Sequence, residues 1–240
     1  MKNQWGEIAK KEKEIQDVKN KILNDKLLKL ISKYSRKRGK VLDYGCGWGE
    51  FADILSQKDF TVSAYDDAEE MVARAKEKFE KPKFYTKKKF HKNIHSLKSK
   101  FDLVVSNLVL CILKKPQQDV LLKNVKMLLK KDGTIIVSFC HPCFDYITES
   151  VLARRIRPYT YNPKYEKEFK YRKIIHENRI QFNDYHRPLE YYTSLFNEHN
   201  LEIIDIAESD VIKSEFYPDF IIFVLKNRKA AKSTKQILIS

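Results

Sequence analysis

The chain has 240 residues, which is enough to bury a sizeable hydrophobic core in one domain. Hydrophobic residues form 42% of the sequence and include 14 Phe and 13 Tyr, which excludes a mainly disordered chain. The formal net charge is +15, but most of the basic residues are lysines scattered along the chain, a pattern typical of a solvated surface.

No apolar stretch reaches the roughly 18–20 residues that a membrane-spanning helix needs. The first residues, MKNQWGEIAKKEKE, lack the apolar core of a signal peptide. These features predict a cytoplasmic protein whose four cysteines are reduced.

Strands and helices are predicted to alternate along most of the chain. The first 35 residues have the apolar spacing of one or two amphipathic helices. Strands are predicted at 40–44, 60–65, 83–86, 101–110, 134–139, 201–208 and 219–226, with helices at 50–55, 67–80, 117–130 and 189–198 and a turn at 131–133. This order predicts a Rossmann-like, doubly wound α/β sheet of seven strands with an antiparallel hairpin at one edge.

The stretch KVLDYGCGWGEF, residues 40–51, is a glycine-rich turn after a strand, a position that often holds a nucleotide. A P-loop is excluded because no Gly-Lys followed by Ser or Thr is present. The dinucleotide fingerprint requires a small third residue, and Glu50 stands there instead. Asp43 and Glu50 also place negative charge where a pyrophosphate would lie, which disfavours dinucleotides.

A cationic ligand fits the same turn better. S-adenosylmethionine (SAM) carries a sulfonium, an ammonium and only one carboxylate, so Asp43 can attract its ammonium. The turn glycines allow close approach of the backbone. Asp66, at the end of the second strand, is placed to accept both ribose hydroxyls, and Asp67 beside it discourages a 2′-phosphate.

The segments VLDYGCGWGEFADIL, AYDDAEEMVARAK, FDLVVSNLVLCIL and LLKKDGTIIVSF resemble, in order and spacing, the motif series of class I SAM-dependent methyltransferases. The resemblance covers residues 40–140 and implies SAM as cofactor and S-adenosylhomocysteine as product. The stretch FYTKKKFH lacks the acid that the family often places near the adenine. The implied cofactor-binding residues are Asp43, Gly45, Cys46, Gly47, Gly49, Asp66, Asp67, Met71, Asn107 and Leu108.

Two further segments, SFCHPCF and DYHRPLEYYTSLFNEHNLEI, resemble a bacterial branch that methylates quinones and secondary metabolites. This resemblance implies methyl transfer to an N or O atom of a small-molecule acceptor. Aromatic and arginine residues between the segments favour an acceptor with an anionic group. The candidate bases are His141 and then His186, and the candidate substrate residues are Trp5, Tyr146, Arg187 and Tyr191.

We expect a single methyltransferase domain over residues 1–240. Its expected parts are an N-terminal helical lid (1–38), a SAM-binding core (39–142), a substrate cap inserted after strand 5 (143–188), a C-terminal helix with edge strands (189–228) and a basic tail (229–240).

Two other functions remain open from the sequence. The net charge and the arginine-rich insert are compatible with a methyltransferase acting on tRNA or rRNA. A SAM-binding protein without catalysis is the other alternative. The sequence CHPC at 140–143 suggests zinc, but a structural zinc site needs four ligands and no second Cys pair is present, so no metal is expected. The oligomeric state is not predicted.

Overall fold

The structure is a computed structural model that describes residues 4–11, 18–144, 147–157, 164–176, 179–212 and 215–228. The helices are α1 (Gln4–Lys11), α2 (Val18–Tyr34), α3 (Glu50–Gln57), α4 (Glu69–Lys78), α5 (Lys87–Asn93), α6 (Lys115–Leu128) and α7 (Leu189–Glu198). The strands are β1 (Lys40–Tyr44), β2 (Thr61–Asp66), β3 (Lys83–Thr86), β4 (Phe101–Asn107), β5 (Leu129–Cys140), β6 (Ala153–Ile156), β7 (Phe169–Ile175), β8 (Gln181–His186), β9 (Leu201–Glu208) and β10 (Phe220–Asn227). Short 3₁₀ turns follow β4 at Leu110–Ile112 and β5 at Pro142–Phe144.

Seven strands form one sheet in the order β3-β2-β1-β4-β5-β10-β9. The first five are parallel to one another, and β10 runs antiparallel to both of its neighbours, β5 and β9. The predicted doubly wound sheet with an antiparallel edge is therefore confirmed. The strand order reverses between β1 and β4, and ligands of such sheets bind at the carboxyl ends of the strands beside this switch point.

Helices cover both faces of the sheet, which explains why its central strands are apolar without alternation. One hydrophobic cluster packs Leu42 and its sheet neighbours against α5, α6 and α7. A second cluster packs Val41 and the opposite face against α2, α3 and α4. This two-sided core fixes the positions of the strand ends.

Residues 131–133 were predicted to form a turn, and this prediction is wrong. They belong to the irregular start of β5, which begins at Leu129 and shifts its register against β4 between Phe101 and Leu103. Helix α5 was not predicted, because a basic sequence with a single buried residue, Phe90, gives almost no amphipathic signal.

The insert after β5 contains a separate three-stranded antiparallel sheet, β6-β7-β8, which we call the cap sheet. The sequence did not reveal it, because its inward positions include Lys173, Asp184 and His186. Burial alternates along β7 and β8 as in any half-buried strand, but these polar residues hide the period of two from a hydrophobicity count.

Helix α1 connects the cap sheet with the helical layer of the main sheet. The Trp5 ring packs against Phe182 of β8 with ring centroids 4.9 Å apart. The Gln4 side chain exchanges two hydrogen bonds with the main chain of Asn183, at 3.0 and 3.3 Å. On the other side, Lys10 lies 3.5 Å from Glu70 of α4. One short helix thus spans the space beside the carboxyl ends of the strands.

Candidate active site

The turn between β1 and α3 has a backbone that favours glycine. Gly45 and Gly49 have φ angles of +90° and +82°, in the left-handed region. A Cβ atom at Gly45 would overlap the side chain of Val109. The amides of Gly45 and Cys46 both donate to the carbonyl of Tyr65, at 2.7 and 2.9 Å, which ties the turn to β2. The turn therefore has a fixed shape whose backbone a ligand can approach closely.

Two carboxylates flank this turn, at the ends of β1 and β2. Asp43 is 1% exposed, and its Oδ2 atom has no hydrogen-bond partner among the described residues. Burial, with the negative charge of Asp66, raises the pKa of Asp43 to about 7. Asp66 accepts hydrogen bonds from the amides of Gly47 (2.9 Å) and Ala68 (2.8 Å), and burial raises its pKa to about 6. A positively charged ligand would favour the ionised form of both groups.

Two other predicted cofactor residues lie in this region: Asp67 is paired with neighbouring side chains, and Cys46 is buried. Asp67 accepts hydrogen bonds from the Tyr65 hydroxyl and from the ammonium of Lys87, the latter at 2.7 Å. Cys46 is buried in the turn, and burial raises the pKa of its thiol well above the usual value, with Asp43 contributing. The Cys46 side chain is thus a neutral part of the turn, and Asp67 is neutralised by Lys87.

A small apolar cluster lies between the turn and helix α1. Met71 of α4 is 2% exposed and packs with Ala9, Trp5 and Trp48. Among the described residues, a Cβ atom at Gly47 would meet only the Met71 sulfur within 4 Å, at 3.8 Å, so these residues leave the space over Gly47 open. The predicted residue Met71 therefore lies at the edge of the open space beside the turn.

The end of β4 lies next to the glycine turn. The Asn107 side-chain oxygen accepts a hydrogen bond from the Ser138 hydroxyl at 2.6 Å. Leu108 has a φ angle of +58°, which is uncommon for a residue with a side chain, and its amide donates to the Ser138 carbonyl at 2.9 Å. Non-glycine residues in this backbone region concentrate at functional sites.

These residues fit SAM better than a dinucleotide. The unpartnered oxygen of buried Asp43 suits a cationic group, and the open space over Gly47 can admit a ligand beside the backbone. Asp66 keeps a carboxylate at the end of β2, where a ribose is held in folds of this kind. A pyrophosphate placed on this turn would meet both carboxylates at close range.

The sequence profile of a family described as "Methyltransferase domain" matches residues 16–206. The chain belongs to this methyltransferase family. A curated relative, the ribosomal protein L11 methyltransferase of Thermosipho melanesiensis, is 33% identical over 111 residues, or 45% of this chain. The match spans only 41% of the length of that relative.

Solved structures of methyltransferases share the fold. An S-adenosylmethionine-dependent methyltransferase from Clostridium acetobutylicum matches with a TM-score of 0.60 at 19% identity, covering 89% of this chain and 94% of that chain. The 1,6-didemethyltoxoflavin-N1-methyltransferase of Burkholderia thailandensis, with its acceptor and S-adenosylhomocysteine bound, matches with a TM-score of 0.56 at 14% identity, covering 89% and 80%. The chain shares the fold of these SAM-dependent methyltransferases, and the predicted family, fold and cofactor SAM are confirmed. The small-molecule branch stays a prediction.

The first candidate base, His141, has partners on both ring nitrogens. Its Nδ1 atom accepts a hydrogen bond from the Cys143 amide at 3.3 Å, and its Nε2 atom lies 3.0 Å from a carboxylate oxygen of Glu208 in β9. Because Nδ1 accepts, Nε2 carries the proton and donates to Glu208. Neither nitrogen is available to accept a proton in this conformation, which disfavours the predicted role.

The second candidate base, His186, belongs to the interior of the cap. It is 1% exposed, its ring stacks on Phe169 with centroids 4.7 Å apart, and its Nε2 atom lies 2.8 Å from the Tyr165 carbonyl. These contacts give His186 a structural place at the end of β8 and no exposed face for a substrate.

Arg187, a predicted substrate residue, is already engaged by groups of the protein. The side chain is fully buried, donating to Glu168 at 3.1 Å and to the Leu113 carbonyl at 2.8 Å. The guanidinium also lies over the ring of Tyr191, 5.1 Å from its centroid. Arg187 therefore joins the cap to the turn after β4, and its charge is already neutralised.

The remaining predicted substrate residues lie in different surroundings. The Tyr191 hydroxyl donates to the Gln118 side chain of α6 at 2.5 Å, which ties α7 to α6. Trp5 lies on helix α1 between the cofactor turn and the cap, as described above. Tyr146 lies outside the described residues.

The structure brings together a buried polar group that the sequence did not predict. Lys173 is 3% exposed, and its ammonium lies 2.8 Å from the Cys140 sulfur and 3.7 Å from the Asp184 carboxylate. Burial opposes the charge of Lys173, but Cys140 and Asp184 outweigh it and raise the pKa of the ammonium. A small cavity beside this group is lined by Cys140, Leu152, Ala153, Arg155, Lys173, Asp219 and Phe220.

Within the described residues, no helix combines the length and the apolar character needed to cross a membrane.

Proposed function

We propose that the chain transfers the methyl group of SAM to a nitrogen or oxygen atom of a small-molecule acceptor. The observation that carries this proposal is the cap sheet, which lies over the carboxyl ends of β4 and β5. A cap over the ligand-binding ends of the strands of a doubly wound sheet is suited to enclosing a small acceptor. The Burkholderia enzyme with the same fold acts on the small molecule 1,6-didemethyltoxoflavin, which supports the same choice.

The parts of the chain have distinct roles in this proposal. Residues 39–142 hold the cofactor, and residues 143–188 cover the acceptor. Residues 1–38 act as a lid, because α1 contacts both α4 and the cap sheet and would close the space between them. Such closure excludes water from the reacting groups.

The side chains around the turn would hold SAM by charge and hydrogen bonding. Asp43 would face the methionine ammonium, and Asp66 would accept hydrogen bonds from the ribose hydroxyls. When bound, SAM supplies an electrophilic methyl group, and transfer is an in-line displacement by the acceptor atom. The main task of the protein is then to hold that atom about 3 Å from the methyl carbon and in line with the breaking bond.

An acceptor that must lose a proton needs a base, and His141 can serve only after a local change. Its partner Glu208 has a side chain that is 57% exposed and can swing into solvent. That movement would release Nε2, which becomes a base only when its proton moves to Nδ1 and the hydrogen bond from the Cys143 amide is lost. The contacts of His186 lie inside the cap. An acceptor that is already unprotonated needs no base.

The test is transfer of a labelled methyl group. Purified protein is incubated with methyl-labelled SAM and a cell extract, and label is measured separately in the small-molecule filtrate and in the RNA and protein fractions. We expect label in the filtrate with the wild-type chain and none with Asp66→Ala. Label confined to RNA or protein would contradict the small-molecule proposal, and no label in any fraction would favour a binding protein without catalysis.

A second candidate, methylation of RNA, is favoured by one exposed basic surface. Residues 81–100 form β3, α5 and the following loop, and they contain no acidic residue. Eight exposed lysines lie there: Lys81, Lys83, Lys87, Lys88, Lys89, Lys92, Lys98 and Lys100. An RNA substrate predicts binding that weakens steeply between low and moderate salt and that falls when Lys88, Lys89 and Lys92 are changed to Glu. Binding that is absent, or unchanged by these substitutions, would remove this candidate.

A further inference from the structure

We propose that Cys111, Cys140 and Asp184 form a binding site for a divalent metal ion of the zinc type, at the junction between the cap sheet and the main sheet. The two sulfur atoms and one carboxylate oxygen all lie within 4.8 Å of one another, and all three residues are buried. This inference goes beyond the proposed methyl transfer, and it does not depend on the identity of the acceptor.

The distances suit a tetrahedral ion. Zinc bound by two thiolates at about 2.3 Å places the two sulfur atoms about 3.8 Å apart. The Cys140 sulfur and the Asp184 oxygen are 3.8 Å apart, and no separation in the group exceeds this spacing by more than about 1 Å. A small inward movement of the side chains would therefore complete the arrangement without a change of fold.

The three ligands come from three parts of the chain that only the fold brings together. Cys111 lies in the 3₁₀ turn after β4, Cys140 ends β5, and Asp184 is an inward residue of β8 in the cap sheet. A metal was not expected from the sequence because no second Cys pair accompanies CHPC. Cys143 of that motif does not belong to the group, whereas Cys140 does.

The surroundings of the group are those of a metal site. The Asp184 carboxylate accepts hydrogen bonds from the Tyr171 hydroxyl at 3.2 Å and from the Tyr185 amide at 2.9 Å, which fix its orientation. Lys173 lies 2.8 Å from the Cys140 sulfur. A divalent ion with two thiolates and one carboxylate has a net charge of −1, which the Lys173 ammonium would neutralise in this buried position.

The fourth coordination position would be filled from outside the protein. Among the described residues, no further His, Cys, Asp or Glu joins the three. Three protein ligands and one open position are typical of zinc that contacts a reacting group. Cys140 and Lys173 also line a small cavity beneath the cap, which has room for a water molecule beside the ion.

Binding of the metal ion would release protons from the protein. The ion displaces one proton from each of the two thiols, and the resulting thiolates become ligands. The bound ion would also join the cap sheet to the ends of β4 and β5, so its loss should loosen the cap.

The test uses tag-free, full-length protein stripped with a chelator and then titrated with Co²⁺ and Zn²⁺. We expect one equivalent of Co²⁺ to give a thiolate charge-transfer band and tetrahedral visible bands, with about two protons released per ion. Zn²⁺ should displace Co²⁺ and protect two of the four cysteines from a thiol reagent. These measurements on the wild-type chain do not depend on any variant folding.

Single substitutions test whether these residues are the metal ligands. Cys111→Ser and Asp184→Asn should lose the cobalt spectrum, whereas the matched control Cys143→Ser should keep it. Lys173→Met should weaken zinc binding by about 10- to 100-fold, the usual effect of removing a supporting group. Absence of a thiolate band in the wild-type protein, or an unchanged band in Cys111→Ser, would overturn the proposal. Neither result would bear on the labelled-methyl experiment, which tests the proposed function separately.

Discussion

The cofactor turn and the cap differ in whether a buried charged group has partners within the protein. Beside the turn, Asp43 has an unpartnered oxygen, and Asp66 is held only by backbone amides among the contacts described for its carboxylate. In the cap, the Arg187 guanidinium is satisfied by Glu168 and by the Leu113 carbonyl. Both regions lie at the same edge of the main sheet.

This difference distinguishes a preformed ligand-binding site, beside the turn, from a structural contact, in the cap. A buried carboxylate without a positive partner is costly, so its presence indicates that a ligand supplies the missing charge. The paired Arg187 needs no ligand, and its role is to hold the cap against the turn after β4. A charged residue near an active site is therefore a binding candidate only when its own partners leave it available.

The largest expected effect is on the cofactor side. Asp66→Ala should weaken SAM binding by about 1,000-fold, because two hydrogen bonds to a charged group, each worth about 2 kcal/mol, are lost. Asp67→Ala is the matched control, since Asp67 is already paired with Lys87, and should change the affinity by less than about 3-fold. Calorimetric titration measures both. Equal losses in the two variants would show that the site is misplaced.

On the cap side we expect a loss of stability and not of cofactor affinity. Arg187→Met leaves the Leu113 carbonyl and Glu168 without a donor and should lower the free energy of unfolding by about 3 kcal/mol, measured by denaturant titration. The exposed Arg172 on the same sheet is the control, and Arg172→Met should have little effect. If Arg187→Met were stable and only raised the KM of an acceptor, Arg187 would be a substrate residue after all.

A smaller effect concerns pH. The pKa of Asp43 is raised to about 7 in the free protein, so the carboxyl becomes protonated as the pH falls below that value. A cationic ligand binds the ionised form, so SAM affinity should fall by up to about tenfold per unit below pH 7. Asp43→Asn should bind more weakly at pH 8 and show a flatter profile. A wild-type affinity that is constant between pH 5 and 8 would exclude Asp43 from the site.

The same carboxylate affects the stability of the free protein. Its pKa is above the unfolded value of about 4, so the folded state binds the extra proton between these two values. The contribution of Asp43 to stability is present below about pH 4 and is lost as the pH rises towards 7. SAM should reverse this loss at neutral pH, which thermal unfolding with and without the cofactor would measure.

The sequence predicted the cofactor half well because its signals are local. Glycines at fixed spacing after a strand and an acid at the end of the next strand both lie where they were expected. Strands β3 and β9 and helix α7 have the predicted bounds. Such features depend on backbone geometry and burial within one βα unit, and a sequence pattern records them directly.

The cap half could not be predicted in the same way because its contacts are distant in sequence. Arg187 pairs with Glu168 and Leu113, and Lys173 with Cys140 and Asp184. Inward-facing charged residues also removed the alternation that would have revealed β7 and β8. An arginine near an active site looks the same in sequence whether it binds a substrate or a carbonyl of its own chain.

The central claim, that the glycine turn with Asp43 and Asp66 holds a cationic cofactor, is tested most directly by calorimetry with two ligands. Purified protein is titrated with SAM and, in a matched experiment, with NAD⁺ at pH 8. We predict saturable binding of one SAM per chain and no binding of NAD⁺. Binding of NAD⁺ without binding of SAM would contradict the account.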